Sequence, residues 1–294
     1  MKNFSKRLNI IAGDTNKYLK KFFLVQKKHS FLEKPVRYSL FSGGKRIRAA
    51  IIVNVGKIFG ISYKKLIVIG SAVECMHSYS LIHDDLPAMD DDDFRRGKLT
   101  THKKFNEFTA ILAGNSLLTL SFQILSSNKL KLSDKTRNKL IQELAYCTGY
   151  TGLGEGQYLD LTYENKKVTK EKIIIMQKKK TGKLFGFCFE CIAIIEGFDL
   201  KERKIFREIG TNVGLLFQIA DDLIDHRGNE KIAGKPTKRD KKKGKATLIN
   251  LIGYKKTLIF ARKLEKNIKN DLKKYGSKAA NLIQSIEFIL RREF

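Results

Sequence analysis

From His77 the chain runs Ser78-Tyr79-Ser80-Leu81-Ile82-His83-Asp84-Asp85-Leu86-Pro87-Ala88-Met89-Asp90-Asp91-Asp92-Asp93-Phe94-Arg95-Arg96-Gly97. Six carboxylates fall within ten residues, and at that density they repel one another unless a cation neutralises them. Hard divalent ions with oxygen ligands suit such donors, magnesium above all. No Asp-x-Asp-x-Asp-Gly frame occurs, so a calcium loop of the helix-loop-helix type is excluded. Alone, an acidic run is most often a solvated helix end. A second cluster, Phe217-Gln218-Ile219-Ala220-Asp221-Asp222-Leu223-Ile224-Asp225, argues against that here. Its Asp221 and Asp225 stand at i and i+4, roughly 5–6 Å apart on one helix face, beside an apolar stripe. The pattern suggests two helices facing each other across a metal-filled cavity.

Magnesium dehydrates reluctantly and is usually held by a few carboxylates together with the phosphates of a substrate. Cationic side chains should therefore lie near the acids. In Gly43-Gly44-Lys45-Arg46-Ile47-Arg48, Lys45 and Arg48 stand one turn apart at a helix start, where free N–H groups also favour anions. Arg95-Arg96 follows the first acidic run directly, and Lys180-Thr181 and the stretch Lys235 to Lys245 supply more. Runs such as Lys178-Lys179 and Lys241-Lys242-Lys243 read as solvated faces.

The elements that must carry these residues are helical. Of three prolines, none lies between Pro87 and Pro236, and apolar residues recur at three-to-four-residue steps, as in Leu66, Ile69, Val73 and Met76 or Ile205, Ile209, Val213 and Leu216. Ser133, Thr169 and Asp199 read as helix starts, the last with Glu202 as a capping box, and Gly43-Gly44, Gly60 and Gly276 as stops. The spacing predicts an all-α bundle of about ten helices, at roughly 4–30, 35–42, 45–59, 63–85, 106–126, 133–162, 169–196, 199–226, 246–273 and 277–292. No linker divides residues 1–294, so a single domain is expected.

Hydrophobic residues make up 42% of the 294, which excludes a disordered chain, and four cysteines are too few for a disulfide-stapled secreted scaffold. The N-terminus has only a short apolar stretch, Leu8 to Ile11 broken by Asn9, so no signal peptide is expected. Leu184 to Phe198, interrupted by Glu190 and Glu196, falls short of the roughly 20 residues of a membrane span. A cytoplasmic, non-inserted protein is expected. The net charge of +28 suggests an anionic partner, but the lysines are scattered everywhere among Ile and Asn, as a biased base composition would leave them. A nucleic-acid binder would need a basic stripe with stacking aromatics and gives no reason for six clustered acids. Cys188 and Cys191, flanked by Phe187, Phe189 and Ile192, read as buried thiols rather than a redox or zinc pair.

The ordered set of Gly43-Gly44-Lys45-Arg46-x-Arg48, Glu74-Cys75-x-His77, Ser80 to Asp90, Asp93-x-Arg95-Arg96-Gly97, Leu112-Ala113-Gly114, Gly156-Gln157-x-x-Asp160-Leu161, Lys180-Thr181-Gly182, Phe217-Gln218-x-x-Asp221-Asp222-x-x-Asp225 and Gly244-Lys245-x-Thr247 resembles the trans-isoprenyl diphosphate synthases over nearly the whole chain. The resemblance implies an isoprenoid synthase fold with a central active-site cavity, a homodimer, and three Mg²⁺ ions bridging an allylic diphosphate to both Asp motifs. It implies that dimethylallyl or geranyl diphosphate ionises to an allylic cation, which the alkene of isopentenyl diphosphate attacks before a proton is lost. By the same resemblance Asp84, Asp90 and Asp221 are direct metal ligands, assisted by Asp85, Asp222, Asp225 and Asp240. Arg95, Lys180, Thr181, Gln218, Lys235 and Lys245 hold the allylic diphosphate, and Lys45, Arg48, His77 and Arg96 hold isopentenyl diphosphate.

Product length is implied to follow from Tyr79 and Ser80, one turn beneath Asp84; an aromatic ring there with the Pro87-Ala88 insertion resembles enzymes that stop at C15, (2E,6E)-farnesyl diphosphate, with a C20-forming synthase as the alternative. Three positions depart from the pattern: Ala49 where Pro is usual, Glu155 for Gly, and Lys238 for Gly in the loop bearing Asp240. Terpene cyclases share the first motif, but usually carry an Asn/Ser/Glu motif in place of Asp221-Asp222-x-x-Asp225.

Overall fold

The structure is a computed structural model that describes residues 2–25, 30–228 and 244–291. Its residues fall into two compact units, Met1–Arg137 and Asn138–Phe294. Apart from one short ribbon, the described elements are helices, as the periodicity predicts.

The first unit contains α1 (Lys2–Val25), α2 (Glu33–Leu40), α3 (Ile47–Ile58), α4 (Tyr63–Asp84), the two-residue strands β1 (Phe94–Arg95) and β2 (Lys98–Leu99), α5 (Thr101–Lys104) and α6 (Glu107–Ser126). Helix α4 is its spine and packs on α1, α3 and α6. It is apolar almost all round, as a helix surrounded by others must be, and Leu66, Ile69, Val73 and Met76 are fully buried. Both α4 and α6 are long and apolar enough by length and composition to cross a membrane; the apolar window of α4 is 78% buried and that of α6 44%. Neither was the segment that the run of apolar residues singles out, because a stripe interrupted by small polar residues keeps a high mean hydropathy.

Helix α7 (Asp134–Thr148) leads into the second unit, with α8 (Leu153–Thr162), α9 (Lys170–Gln177), α10 (Lys183–Ile195), α11 (Leu200–Arg227), α12 (Leu248–Ile252), α13 (Tyr254–Leu272) and α14 (Ala280–Arg291). Helix α11 packs on α10, α13 and α14, and Phe185, Phe187 and Phe189 of α10 fill the core. Three caps stand where they are expected: Asp199 Oδ1 accepts from Glu202 N at 2.8 Å, Thr169 Oγ1 from Lys172 N at 3.4 Å, and Ser133 Oγ from Thr136 N at 3.2 Å.

Several elements differ from expectation. Residues 133–162 form two helices, because the chain turns at 149–152. Residues 246–273 split at Gly253, whose φ of +80° suits glycine. The stretch 169–196 stays helical but widens into a π-turn over Lys178–Gly182. Helix α3 begins at Ile47 because Arg46 takes a left-handed φ of 49°. The ribbon β1–β2 was not foreseen, being only a hairpin around Arg96-Gly97.

Candidate active site

The first acidic cluster begins at the last residue of α4, Asp84, and the second spans the last two turns of α11, with Asp225 in the final turn that ends at Arg227. The helix macrodipole is negative there, so acids are disfavoured at those positions. Two such violations of a local stability rule mark places where something other than folding sets the residue type.

After α4 the chain folds back on the helix end. Asp90 N donates to Asp84 O at 2.8 Å, Asp92 N to Asp85 O at 3.2 Å and Asp91 N to Leu86 O at 3.1 Å, with Asp91 at a left-handed φ of 46°. This hook brings Asp90 back beside Asp84, both half-buried. Asp85 turns the other way, into the protein. Arg95 Nε donates to its two oxygens at 2.7 and 2.9 Å. Burial still raises the Asp85 carboxyl above the ordinary range despite Arg95, while the Arg95 guanidinium is raised by Asp85 and its acidic neighbours. Asp85 therefore orients Arg95, while Asp84 stays half-buried at the helix end.

A cationic set surrounds His77. Burial and then the guanidinium groups of Arg48, Arg96, Arg46 and Arg95 push its imidazole well below the usual histidine range, so at neutral pH it is an uncharged N–H donor. The Arg96 guanidinium donates to Gly43 O and lies over Gly44, and burial pushes it down to about 10. Arg48 is buried and Lys45 exposed. Arg46 does different work: it donates to Leu40 O, to Asn16 Oδ1 at 3.1 Å and to Glu74 Oε2 at 3.5 Å. Glu74 also accepts from Ala49 N at 3.1 Å. A proline at 49 would lack that donor.

In the second unit the π-turn carries Lys180 and Thr181. Gly156 of α8 packs against the Lys180 backbone so closely that a Cβ would collide with it. That approach lets Asp160, one turn further, accept from Lys180 Nζ at 2.7 Å, and Lys245 Nζ donates to the same oxygen at 2.8 Å. Lys245 also meets Glu164 at 2.9 Å. Burial alone would raise the Asp160 carboxyl; Lys180 and Lys245 overcome it and hold the group below the ordinary range. A depressed carboxyl contributes stability above its unfolded pKa of roughly 3.9 and loses it as pH falls through the folded value. Asp160→Asn should accordingly melt below the parent at pH 7, and the gap in Tm should close on acidification. Lys179, expected on a solvated face, instead pairs with Glu155, so the glutamate that departs from the usual glycine has its own partner.

On α11, Thr181 Oγ1 donates to Gln218 Oε1 at 2.9 Å, Gln218 Nε2 to Asp222 Oδ1 at 2.9 Å, and Gln177 Nε2 to Asp222 Oδ2 at 2.8 Å. Asp221 is half-buried, Asp225 buried. Lys235, Lys238 and Asp240 lie outside the described residues. Among the described residues no three His, Cys, Asp or Glu side chains form a metal cage by themselves. Incomplete sets of hard oxygen donors fit magnesium, which keeps places for water and substrate phosphate.

The polyprenyl synthetase family model matches residues 29–286. The chain belongs to the polyprenyl synthetase family. A farnesyl diphosphate synthase of Bacillus subtilis is 43% identical over 231 residues, 77% of this chain and 78% of its own. The crystal structure of an FPP/GFPP synthase from Zymomonas mobilis matches with a TM-score of 0.86 at 36% identity, over 98% of this chain and 99% of that one. A geranyltransferase of Helicobacter pylori, solved with magnesium and isoprenyl diphosphate, matches with a TM-score of 0.80 at 30% identity, over 97% and 96%.

Within this polyprenyl synthetase, Tyr79 is half-buried and its ring meets His83 edge-on at 4.9 Å. His83 Nε2 lies 3.1 Å from Ile111 O, and since a carbonyl only accepts, that nitrogen carries the proton. Gly114 leaves the room for the imidazole that any Cβ would take. Ser80 Oγ folds back on His77 O at 3.0 Å, which leaves Tyr79 as the bulky group of the pair. Residues missed as site residues in the sequence are Asp160, Gln177 and Glu74. Each is polar in an apolar helical run, and a buried polar group needs a partner; that signal says a partner exists, not which.

Proposed function

We propose that the protein condenses isopentenyl diphosphate with dimethylallyl diphosphate and then geranyl diphosphate, releasing diphosphate at each step and ending at (2E,6E)-farnesyl diphosphate. The observation that carries this is the pair of acidic segments at the ends of α4 and α11, each accompanied by its own set of cations. The naming of the Bacillus subtilis relative supports the farnesyl product.

Asp84, Asp90 and Asp221 would hold magnesium, three ions in all with substrate bound and Asp225 assisting, and the metal would supply Lewis-acid polarisation of the diphosphate oxygens. Lys180, Lys245, Thr181, Gln218 and Arg95, together with Lys235, bind the allylic diphosphate, and their charge stabilises it as it leaves. Asp160 shares one carboxylate between two ammonium groups, which fixes their positions while leaving a net positive charge. Arg48, Arg96, Lys45 and neutral His77 bind isopentenyl diphosphate; an imidazole among so many guanidinium groups donates a hydrogen bond, and the proton lost after carbon–carbon bond formation goes to the departed diphosphate. The chain acts as one cytoplasmic domain within a homodimer. Exposed Phe108, Ile111 and Leu112 on α6, 66%, 43% and 45% accessible, supply an apolar face suited to a second copy.

Incubation with MgCl₂, isopentenyl diphosphate and each allylic primer, read by mass spectrometry, should give C15 as the main product and nothing in EDTA. A main product of C20, or turnover in EDTA, overturns the respective part. The Tyr79→Ala variant should lengthen the products beyond C15, because it removes the ring one turn beneath Asp84. An unchanged chain-length distribution would take Tyr79 out of that role.

A further inference from the structure

Gln177 ends α9, immediately before the π-turn, and is 2% exposed. Its amide nitrogen serves one oxygen of Asp222, and the amide nitrogen of Gln218 serves the other. Asp222 is itself only 4% exposed. Such a carboxylate, taken on each oxygen by an amide donor, is held in orientation from both sides inside the protein. An amide has distinct ends, so by donating its nitrogen to Asp222 Gln218 must turn its oxygen outward, where Thr181 Oγ1 donates to it. The direction of the Thr181 hydroxyl is thus set three bonds away from Gln177.

We infer that Gln177 is a positioning residue: it clamps Asp222 as a strut, Asp222 fixes the amide of Gln218, and Gln218 fixes the hydroxyl of Thr181. This rests on the roles proposed above for Thr181 and Gln218 toward the allylic diphosphate. It takes Asp222 out of the metal-binding set to which the resemblance assigns it. The lone acid between Asp221 and Asp225 points into the protein, and α11, α9 and the π-turn are tied together through it.

The test compares Gln177→Leu, which keeps the bulk and removes the donor, with Gln177→His, which restores an N–H. Small displacements of a positioned group cost up to about 10²-fold in rate. Gln177→Leu should lower kcat by about 10- to 100-fold, with KM for isopentenyl diphosphate and the magnesium concentration for half-maximal rate both unchanged. Gln177→His should recover most of the loss. Two results overturn the inference: an unchanged kcat, or a raised magnesium requirement with full rate restored at high magnesium, since the latter makes Asp222 a ligand. Should Gln177→Leu fail to fold, the histidine variant decides alone, through a kcat near that of the parent and an unshifted magnesium requirement. Absence of prenyl transfer by the parent enzyme would strike the functional proposal; an active parent beside an equally active Gln177→Leu strikes only this inference.

Discussion

Asp84→Asn and Asp221→Asn are each expected to reduce prenyl transfer by about 10²–10³-fold, the loss that follows when one group aimed at developing charge is removed. Asparagine keeps the size of the side chain and an acceptor oxygen but not the negative charge that draws magnesium. The effect on folding should be small. Asp84 is the last residue of α4, where the macrodipole opposes a carboxylate by about 0.3–1 kcal/mol and so offsets its attraction to the Arg95 guanidinium, and the Tm of Asp84→Asn should change little. Loss of turnover with undiminished stability separates a group kept for chemistry from one kept for folding. Retained turnover in both variants, measured by product release under saturating magnesium, would remove the two acidic helix ends from the reaction.

The acidic helix ends and the arginines beside them were legible in the sequence because their signal is local. Asp84 and Asp90 are brought together by a hook of seven residues, and Asp199, Thr169 and Ser133 cap helices within three residues of themselves. Long-range pairing was not legible. Nothing in the neighbourhood of Asp160 names Lys245 as its partner, since the two lie 85 residues apart and meet where Asn165 N, just beyond α8, donates to Gly244 O. The π-turn itself has no mark in Lys178-Lys179-Lys180-Thr181-Gly182, because i→i+5 bonding is set by the packing around it. The same holds for Arg46. It reads as one cation among several in a glycine-led run, while its partners Asn16, Leu40 and Glu74 lie on three other helices.

Glu190 illustrates how much a misread local signal can conceal. In the sequence it interrupts the apolar run of α10 and serves only to argue against a membrane span; in the structure it is fully buried. Its Oε1 accepts from Arg203 at 2.8 Å and from Arg207 at 2.5 Å, and its Oε2 from Arg207 at 2.5 Å. Glu143 of α7 joins from the other side, at 2.7 Å from Arg203 and 2.9 Å from Arg207. Two carboxylates and two guanidinium groups thus neutralise each other inside the second unit. The Arg207 guanidinium is raised chiefly by its hydrogen bond to Glu190, and Glu143, which burial would raise, is held down by Lys139 and the two arginines. Breaking such a set by removing one member leaves uncompensated charge in the interior, at a cost of about 3–5 kcal/mol. Glu190→Ala should therefore lower stability by that amount, a large share of the roughly 5–15 kcal/mol available to a protein domain. Exchanging Glu190 and Arg207 together for apolar residues of similar volume should cost much less, because the charge is withdrawn with its partner. Equal destabilisation in the single and paired variants, followed by urea unfolding, would mean that packing of the glutamate stem and not charge compensation holds α10 against α11.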